Sequence, residues 1–461
     1  MSKRNLPVEI NSTYHAEVVG LNHDGEGVAR VNGFTLFVEG ALPGEKIEVQ
    51  VTKLKKQYGH GRLKRIVAAS PTRVQPRCPI YDACGGCQLQ HLDYPAQLEA
   101  KRQQVVDSLA RIGKITDVIV HPTIGMEEPW RYRNKTHVPV ALEQGRLISG
   151  FYAASSHDIV ETDQCLIGHE RGDEIIAVVK RLAEELGILA YNPQTGRGLL
   201  RHVITRVGFH TGEVMVVLVV NGERLPKQDE FIGLLTMELS GLTSVCLNVN
   251  TDPSSVVMGD RTIVLWGEET IRDYIGGIEF AISARSFYQV NPLQTERLYA
   301  KALEYAGLTG VETVIDAYCG IGTISLFLAQ QADHVYGVEI VRDAIEDARR
   351  NARLNGMRNV TFEAGKAEVV IPRWRQQGIE ADVIVVDPPR KGCDAQLLQT
   401  IIEMQPARVV YVSCNPATLA RDLRVLEDGG YRTVEAQPVD MFPHTGHVEV
   451  TVRLERKDTV Q

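Results

Sequence analysis

The chain has 461 residues and a formal net charge of −8. This length indicates two or three domains, and the acidic charge, taken alone, argues against a nucleic-acid partner. The N-terminus, MSKRNLPVEI, lacks the apolar core of a signal peptide. The longest apolar runs, such as VMVVLVV, are far shorter than a membrane span. We therefore expect a cytoplasmic enzyme that contacts no membrane and needs no obligate protein partner.

Residues 1–67 carry short stretches of alternating apolar and polar residues, separated by turns rich in glycine. Examples of these stretches are HAEVVGL, FTLFVEG and EKIEVQVTKL. Several short strands in so small a region predict a small antiparallel β-barrel of the OB-like type. Barrels of this kind often bind nucleic acid.

Two segments of the chain are locally basic although the net charge is acidic. Residues 1–77 contain twelve Lys and Arg against seven Asp and Glu, and the excess is concentrated in residues 53–65, KLKKQYGHGRLKR. A solvated hairpin and a strip that binds phosphates both explain this segment. In WRYRNK, strand periodicity would place Arg131, Arg133 and Lys135 on one face. That face is either solvated or a second phosphate-binding surface.

The rest of the chain divides into two regions with different patterns. Residues 68–285 mix strand and helix patterns irregularly, which predicts a central α+β domain. We expect a helix near residues 94–120 to be able to pack on the C-terminal domain, residues 286–461. Residues 286–461 alternate regularly between strands and helices, which is typical of a doubly wound parallel sheet. The predicted fold class is therefore α/β, with a small barrel at the N-terminal end.

The third region carries polar residues where its apolar strands end. A loop with Gly320 and Gly322 follows the first strand, where glycines let the backbone approach a ligand closely. An acid at the end of the second strand suits a ribose diol, as in a dinucleotide-dependent dehydrogenase. Parallel strands present their carboxyl ends at one edge, where ligands bind. We expect four side chains at this edge: Asp316, Glu339, Asp387 and Cys414.

Glu449 lies in the final strand pattern, HVEVTVRL. Alternation along a strand places Val448, Val450 and Val452 on one face and Glu449 on the other. A polar face of this kind is either an exposed strand surface or part of a site. Cys414, after the apolar run ARVVYVS, is either a small core side chain or a nucleophile at a strand end.

The chain has eight cysteines, and disulfides are not expected in a cytoplasmic protein. Three of them, Cys78, Cys84 and Cys87, form the pattern C-x5-C-G-G-C. Spacing alone leaves zinc, a redox-active pair and an iron–sulfur cluster open.

Several motifs together resemble those of the RNA uracil-5-methyltransferases. The resemblance covers CPIYDACGGCQLQH, DAYCGIGTIS, DPPRKGCD, SCNPATLARDL and DMFPHTGHVEVTVRL, in the family's order. It also extends to an N-terminal barrel that is similar to a TRAM domain. Because the chain has both the barrel and the cysteine motif, it resembles the 23S rRNA branch more than the tRNA branch. The resemblance implies a class I methyltransferase domain over residues 286–461.

The resemblance also implies an activity, its cofactors and its residues. The activity is methyl transfer from S-adenosyl-L-methionine to C5 of a uridine in 23S rRNA, which gives 5-methyluridine. Cys414 matches the family's nucleophile and Glu449 its general base. The residues that match its cofactor-binding positions are Gln289, Tyr318, Glu339 and Asp387. The ligands implied for a [4Fe–4S] cluster are Cys78, Cys84, Cys87 and Cys165, with Cys246 as an alternative fourth ligand.

Other functions remain open at the level of the sequence. The nearest alternative is a tRNA uracil-5-methyltransferase. An amino-group methyltransferase needs no cysteine, and a cytosine-5 enzyme would use one as this chain does. A non-catalytic RNA-binding iron–sulfur protein is the alternative from another class. Phe287, beside the predicted cofactor residues, is a candidate to stack on the target base.

Overall fold

The computed structural model describes residues 6–457. The first five strands form a closed barrel in the order β1-β2-β3-β5-β4. They are β1 (Thr13–Leu21), β2 (Gly27–Val31), β3 (Phe34–Val38), β4 (Lys46–Leu54) and β5 (Tyr58–Ala68). The barrel is not wholly antiparallel as predicted, since β3 and β5 run parallel. The cause is topological: β4 closes the barrel against β1, so its hairpin partner β5 must run in the direction of β3.

The chain then forms α1 (Tyr94–Ser108), a π-helical turn (Leu109–Gly113) and the short strand β6 (Ile119–Val120). A sheet of seven strands follows, in the order β13-β12-β11-β10-β7-β8-β9. Its strands are β7 (Lys135–Glu143), β8 (Arg146–Tyr152), β9 (Ile159–Glu161), β10 (Leu200–Val207), β11 (Val214–Val220), β12 (Leu242–Val249) and β13 (Arg261–Gly267). Two helices, α2 (Glu170–Glu185) and α3 (Gln228–Glu238), share its apolar core. A hairpin, β14 (Thr270–Ile275) and β15 (Ile278–Ser283), leads out of this region.

The C-terminal region is a sheet covered by helices, as the strand–helix alternation predicts. Its helices are α4 (Pro292–Ala306), α5 (Thr323–Ala329), α6 (Arg342–Leu354), α7 (Ala367–Gln376), α8 (Ala395–Met404) and α9 (Pro416–Asp428). Its strands are β16 (Thr313–Ala317), β17 (His334–Glu339), β18 (Val360–Ala364), β19 (Val383–Val386), β20 (Arg408–Ser413), β21 (Tyr431–Val439) and β22 (Glu449–Arg456). Strands β16 to β20 are parallel, and β22 inserts antiparallel between β20 and β21.

Residues 94–124 pack with the C-terminal sheet although they precede the central one. Strand β6 pairs with β21 as the eighth strand, and α1 contributes Val105 to the core of the C-terminal sheet. The helix predicted near residues 94–120 therefore packs on the C-terminal sheet. The three-domain division at residues 67 and 285 stays a prediction. None of the helices within residues 6–457 is long and apolar enough to cross a membrane.

Candidate active site

A cleft of about 1250 Å³ opens at the carboxyl ends of the parallel strands. Ligands of open parallel sheets bind at this edge. The six residues predicted to be catalytic or cofactor-binding all line the cleft: Gln289, Tyr318, Glu339, Asp387, Cys414 and Glu449.

Strand direction explains how Cys414 and Glu449 come together. Cys414 directly follows the parallel strand β20, so it lies at the carboxyl edge. Glu449 is the first residue of β22, and because β22 runs antiparallel to β20, its beginning meets the end of β20. The last pair between these strands is Ser413 with Val450, so Cys414 and Glu449 lie one step beyond it. Glu449 is only 4% exposed, which excludes a solvent-facing strand glutamate.

Burial dominates the electrostatics of the cleft. It raises the pKa of the Glu449 carboxyl well above its usual range, with the nearby Asp387 adding to the shift. The pKa of Asp387 rises to about 7 through burial. Burial also raises the pKa of the Cys414 thiol to about 12, and both carboxylates add to this shift, while Arg390 opposes it. A cleft with this excess of carboxyl groups favours a ligand that carries positive charge.

Arg390 is the residue that sequence reasoning missed. It follows Asp387 and two prolines at the end of β19, and it lowers the pKa of both Cys414 and Glu449. Its guanidinium Nη2 lies 3.5 Å from His447 Nε2. Its carbonyl accepts hydrogen bonds from Asn415 Nδ2 at 3.2 Å and the Thr418 hydroxyl at 3.1 Å. The signal in the sequence was a cation three residues after the strand-end carboxylate of Asp387.

The loop after β16 leaves room for a ligand. Gly320 lines the cleft with a φ of 54°, and a Cβ at this position would point into open space. Tyr318 also has a positive φ, of 66°, which is uncommon for a residue with a side chain. The carboxylate of Glu339 accepts the backbone N–H of Val341 at 2.9 Å, which orients it beside this loop. This part of the carboxyl edge therefore leaves room for a ligand beside the Glu339 carboxylate.

Asp316 lies at the carboxyl end of β16, near Asp387 and Glu339, but it does not line the cleft. It is 1% exposed and accepts a hydrogen bond from the Ser325 hydroxyl at 2.5 Å. Burial raises its pKa to about 7, and the carboxyl groups of Asp387 and Glu339 add to this rise. Because Asp316 precedes the last residue of β16, its side chain lies within the packed sheet and helps to fix the start of α5. Phe287, in contrast, lines the cleft with 73% of its surface exposed.

The cysteines of the central region are half-buried and free: Cys78, Cys84, Cys87 and Cys165. Burial raises the pKa of Cys87 to about 12, and the other three thiols add to this shift, so the four lie near one another. Within residues 6–457, no group of three or more His, Cys, Asp or Glu is placed to hold a metal ion. Cys246 is 1% exposed and belongs to the same apolar core as Met215 and Ile204, which does not favour it as the alternative fourth ligand.

The two basic segments differ in their surroundings. In residues 53–65 the side chains of Lys53, Lys55, Lys56, Arg62 and Lys64 are exposed on the hairpin of β4 and β5. Arg131 and Arg133 lie outside the strand predicted for WRYRNK, because β7 begins only at Lys135. Arg131 pairs with Asp173 at 2.6 Å and donates to the Cys165 carbonyl at 2.7 Å, so it supports the cysteine region.

Comparison with known proteins agrees with this architecture. Residues 276–457 match the family model described as tRNA (Uracil-5-)-methyltransferase, and residues 7–64 match that of the TRAM domain. An RNA methyltransferase of Halalkalibacterium halodurans is 60% identical over 458 residues, which are 99% of this chain and 100% of that protein. The chain belongs to the RNA uracil-5-methyltransferase family. The predicted TRAM-type barrel and methyltransferase fold are thereby confirmed.

Two further relatives of this uracil-5-methyltransferase match it over almost its whole length. An RNA methyltransferase of Listeria innocua is 54% identical over 455 residues, or 99% of each chain. The solved tRNA (uracil-54, C5)-methyltransferase of Pyrococcus abyssi, in complex with S-adenosyl-L-homocysteine, is 31% identical. It superposes with a TM-score of 0.76 over 96% of this chain and 100% of its own. The protein is therefore an S-adenosylmethionine-dependent RNA methyltransferase of the uracil-5 family.

Proposed function

We propose that this enzyme methylates C5 of a specific uridine in 23S rRNA through a covalent intermediate and yields 5-methyluridine. The observation that carries the proposal is the meeting of Cys414 and Glu449 in one cleft, at adjoining ends of β20 and β22. An amino-group methyltransferase needs neither a thiol nor a buried base at this place, because an exocyclic nitrogen attacks directly. Uracil C5 is a poor nucleophile and needs both.

Cys414 acts first in the proposed sequence. Its thiolate forms a bond to uracil C6, and the electron pair of the C5–C6 double bond moves into an enolate. C5 of this enolate would then bond to the methyl group of S-adenosylmethionine. The methyl–sulfur bond would break, and neutral S-adenosylhomocysteine would leave with its electron pair. Glu449 then takes the proton from C5, and the C6–sulfur bond breaks to release the thiolate and the product. Burial makes ionised Glu449 a stronger base than an exposed glutamate, since base strength follows pKa.

The proposed binding residues surround the same cleft. Gln289 and Tyr318 would contact the methionine portion of the methyl donor, and Glu339 would accept from the ribose hydroxyls. Asp387 lies between this subsite and Cys414, at the end of β19. Phe287, exposed on the cleft lining, would stack on the target base after it leaves the RNA stack.

We assign separate roles to the three regions. Residues 1–67 would bind RNA, residues 68–285 would carry a [4Fe–4S] cluster, and residues 286–461 would catalyse methyl transfer together with residues 94–124. The four neighbouring cysteines would supply the thiolate ligands that such a cluster takes. Iron analysis and visible absorption of anaerobically isolated protein test this. Cys87→Ser should lose iron, whereas Cys246→Ser should keep it; an iron-free wild-type protein would contradict the assignment.

A tRNA substrate is the second candidate, because the Pyrococcus abyssi enzyme that superposes over the whole chain is a tRNA methyltransferase. Transfer of labelled methyl groups to separate 23S rRNA and tRNA transcripts, followed by nucleoside analysis, distinguishes the two. We expect 5-methyluridine in 23S rRNA and none in tRNA. Product in tRNA alone would establish the second candidate, and 5-methyluridine in neither RNA would refute the proposed activity.

A further inference from the structure

The connection between β21 and β22, residues 440–448, leads directly into Glu449 and is held by helix α1. Lys101 of α1 is 1% exposed, and its Nζ lies 2.5 Å from Asp440 Oδ1. The same ammonium group donates to the Phe442 carbonyl at 3.0 Å. The other oxygen of Asp440 accepts from the Tyr94 hydroxyl at 2.9 Å. Both charges of this ion pair are thus buried and hydrogen-bonded.

A second contact of α1 holds the middle of the same connection. The Gln97 carboxamide accepts the backbone N–H of His444 at 3.0 Å, and its nitrogen lies 3.2 Å from His444 Nδ1. The His444 ring stacks on Trp130 with ring centroids 3.8 Å apart. The His444 carbonyl accepts backbone N–H groups of Gln88 and Leu89, at 3.0 and 2.9 Å. The connection is therefore fixed at several points before it reaches the cleft.

The position of the ion pair relates it to the proposed base. Asp440 directly follows Val439, and Val439 is the residue of β21 that pairs with Glu449. Phe442, whose carbonyl Lys101 binds, lines the cleft with Glu449. A movement of this connection would therefore displace the beginning of β22. Buried ion pairs are weak sources of stability, because desolvation offsets their attraction. A contribution to folding stability therefore does little to explain why the buried ion pair of Lys101 and Asp440 lies at this place.

We propose that Lys101 and Asp440 are positioning residues that fix Glu449 for removal of the C5 proton. The inference rests on the proposed function, in which Glu449 acts after Cys414 addition and methyl transfer. Loss of the ion pair would slow the late step selectively. A misplacement of about 1 Å can cost on the order of 100-fold in rate. The methylated, covalently bound enzyme–RNA intermediate should then accumulate.

The test compares Lys101→Met/Asp440→Asn with Glu449→Gln and with Arg102→Met. The double variant leaves no buried unpaired charge, so it should fold, whereas Lys101→Met alone leaves the Asp440 carboxylate unpaired. Arg102, on the same helix, donates to the Val120 carbonyl and serves as the matched control. Labelled methyl donor and target RNA are mixed with each enzyme, and methylated adduct that survives denaturation is followed over time. Thermal unfolding is recorded in parallel.

We expect adduct to accumulate in the double variant and in Glu449→Gln, with resolution slowed on the order of 100-fold. Arg102→Met should resolve it like the wild type. Wild-type resolution in the double variant would overturn the positioning role. A parallel loss of adduct formation and resolution, with a lowered melting temperature, would also overturn it, since that pattern reflects only destabilisation. If Glu449→Gln itself resolves the adduct normally, the proposed function fails and the inference fails with it.

Discussion

Two opposing electrostatic influences act on the Cys414 thiol. Burial and the carboxyl groups of Glu449 and Asp387 raise its pKa, whereas Arg390 lowers it. Only the thiolate adds to an electron-poor carbon, so this balance sets the fraction of reactive enzyme. A pKa of about 12 leaves the thiol protonated near neutrality, and reactivity should rise with pH. We therefore expect the loss of the Arg390 side chain to have a clear effect on the reactivity of the Cys414 thiol.

Replacement of Arg390 with methionine should slow alkylation of Cys414. Removing the cation raises the pKa of the thiol further, and below the pKa the thiolate fraction falls tenfold for each unit. We expect a rate about three- to tenfold lower at about pH 8, with the alkylation profile displaced to higher pH. Mass spectrometry of the peptide containing Cys414 separates it from the other thiols. Lys391→Met, one residue further on, is the control, and an unchanged rate in Arg390→Met would exclude the electrostatic role.

At the scale of elements, the C-terminal sheet is completed by a segment that precedes the central sheet in the sequence. Strand β6 pairs with β21 through Ile119 with Glu435 and Val120 with Ala436. Helix α1 and its π-helical turn pack in the same core, where Leu109 is 1% exposed. The C-terminal sheet therefore lacks part of its packing when residues 94–124 are removed.

Leu109→Ala should lower the free energy of unfolding by about 2–5 kcal/mol, because it leaves a cavity in this core. Ile112, in the same π-helical turn, is 48% exposed. Ile112→Ala should change the free energy by about 0.5 kcal/mol or less. Denaturant unfolding monitored by fluorescence measures both. Equal effects in the two variants would show that the segment is not part of the catalytic core.

The sequence was sufficient to predict the features that depend on local pattern. Apolar runs ending at Asp387 and Cys414 give strand ends, and parallel topology brings strand ends to one edge. Alternation alone could not decide whether Glu449 is exposed, since its burial depends on the insertion of β22 between β20 and β21. The pairing of Ile119 with Glu435 joins residues more than 300 positions apart, and no local pattern encodes such a contact.

At the scale of the molecule, the charge distribution suggests that RNA binding and methyl transfer depend on different regions of the chain. The chain is acidic overall, and its cleft is rich in carboxyl groups, which suits a cationic methyl donor but repels RNA phosphates. The exposed cations of residues 53–65 are on the TRAM barrel instead. RNA affinity is therefore expected to depend on the barrel, while the chemical step depends on the C-terminal sheet.

Lys53, Lys55 and Lys56 replaced together by glutamine should weaken RNA binding at low salt. The slope of log affinity against log salt should become less steep by about 2, or about 0.7 for each lost phosphate contact. Methyl transfer at saturating RNA should be nearly unchanged. Arg65→Gln is the matched control, because Arg65 already pairs with Glu48 at 2.6 Å. An unchanged salt slope in the triple variant would place the RNA contact elsewhere.

The central claim is covalent catalysis by Cys414 at uracil, and one measurement tests it most directly. Target RNA that carries 5-fluorouridine is incubated with the enzyme and S-adenosylmethionine, and the attachment site is mapped by mass spectrometry. Because fluorine cannot leave C5 as a proton does, we predict a stable methylated RNA adduct on Cys414, absent in Cys414→Ser. Attachment at another residue, or wild-type methylation of ordinary RNA by Cys414→Ser, would contradict the account.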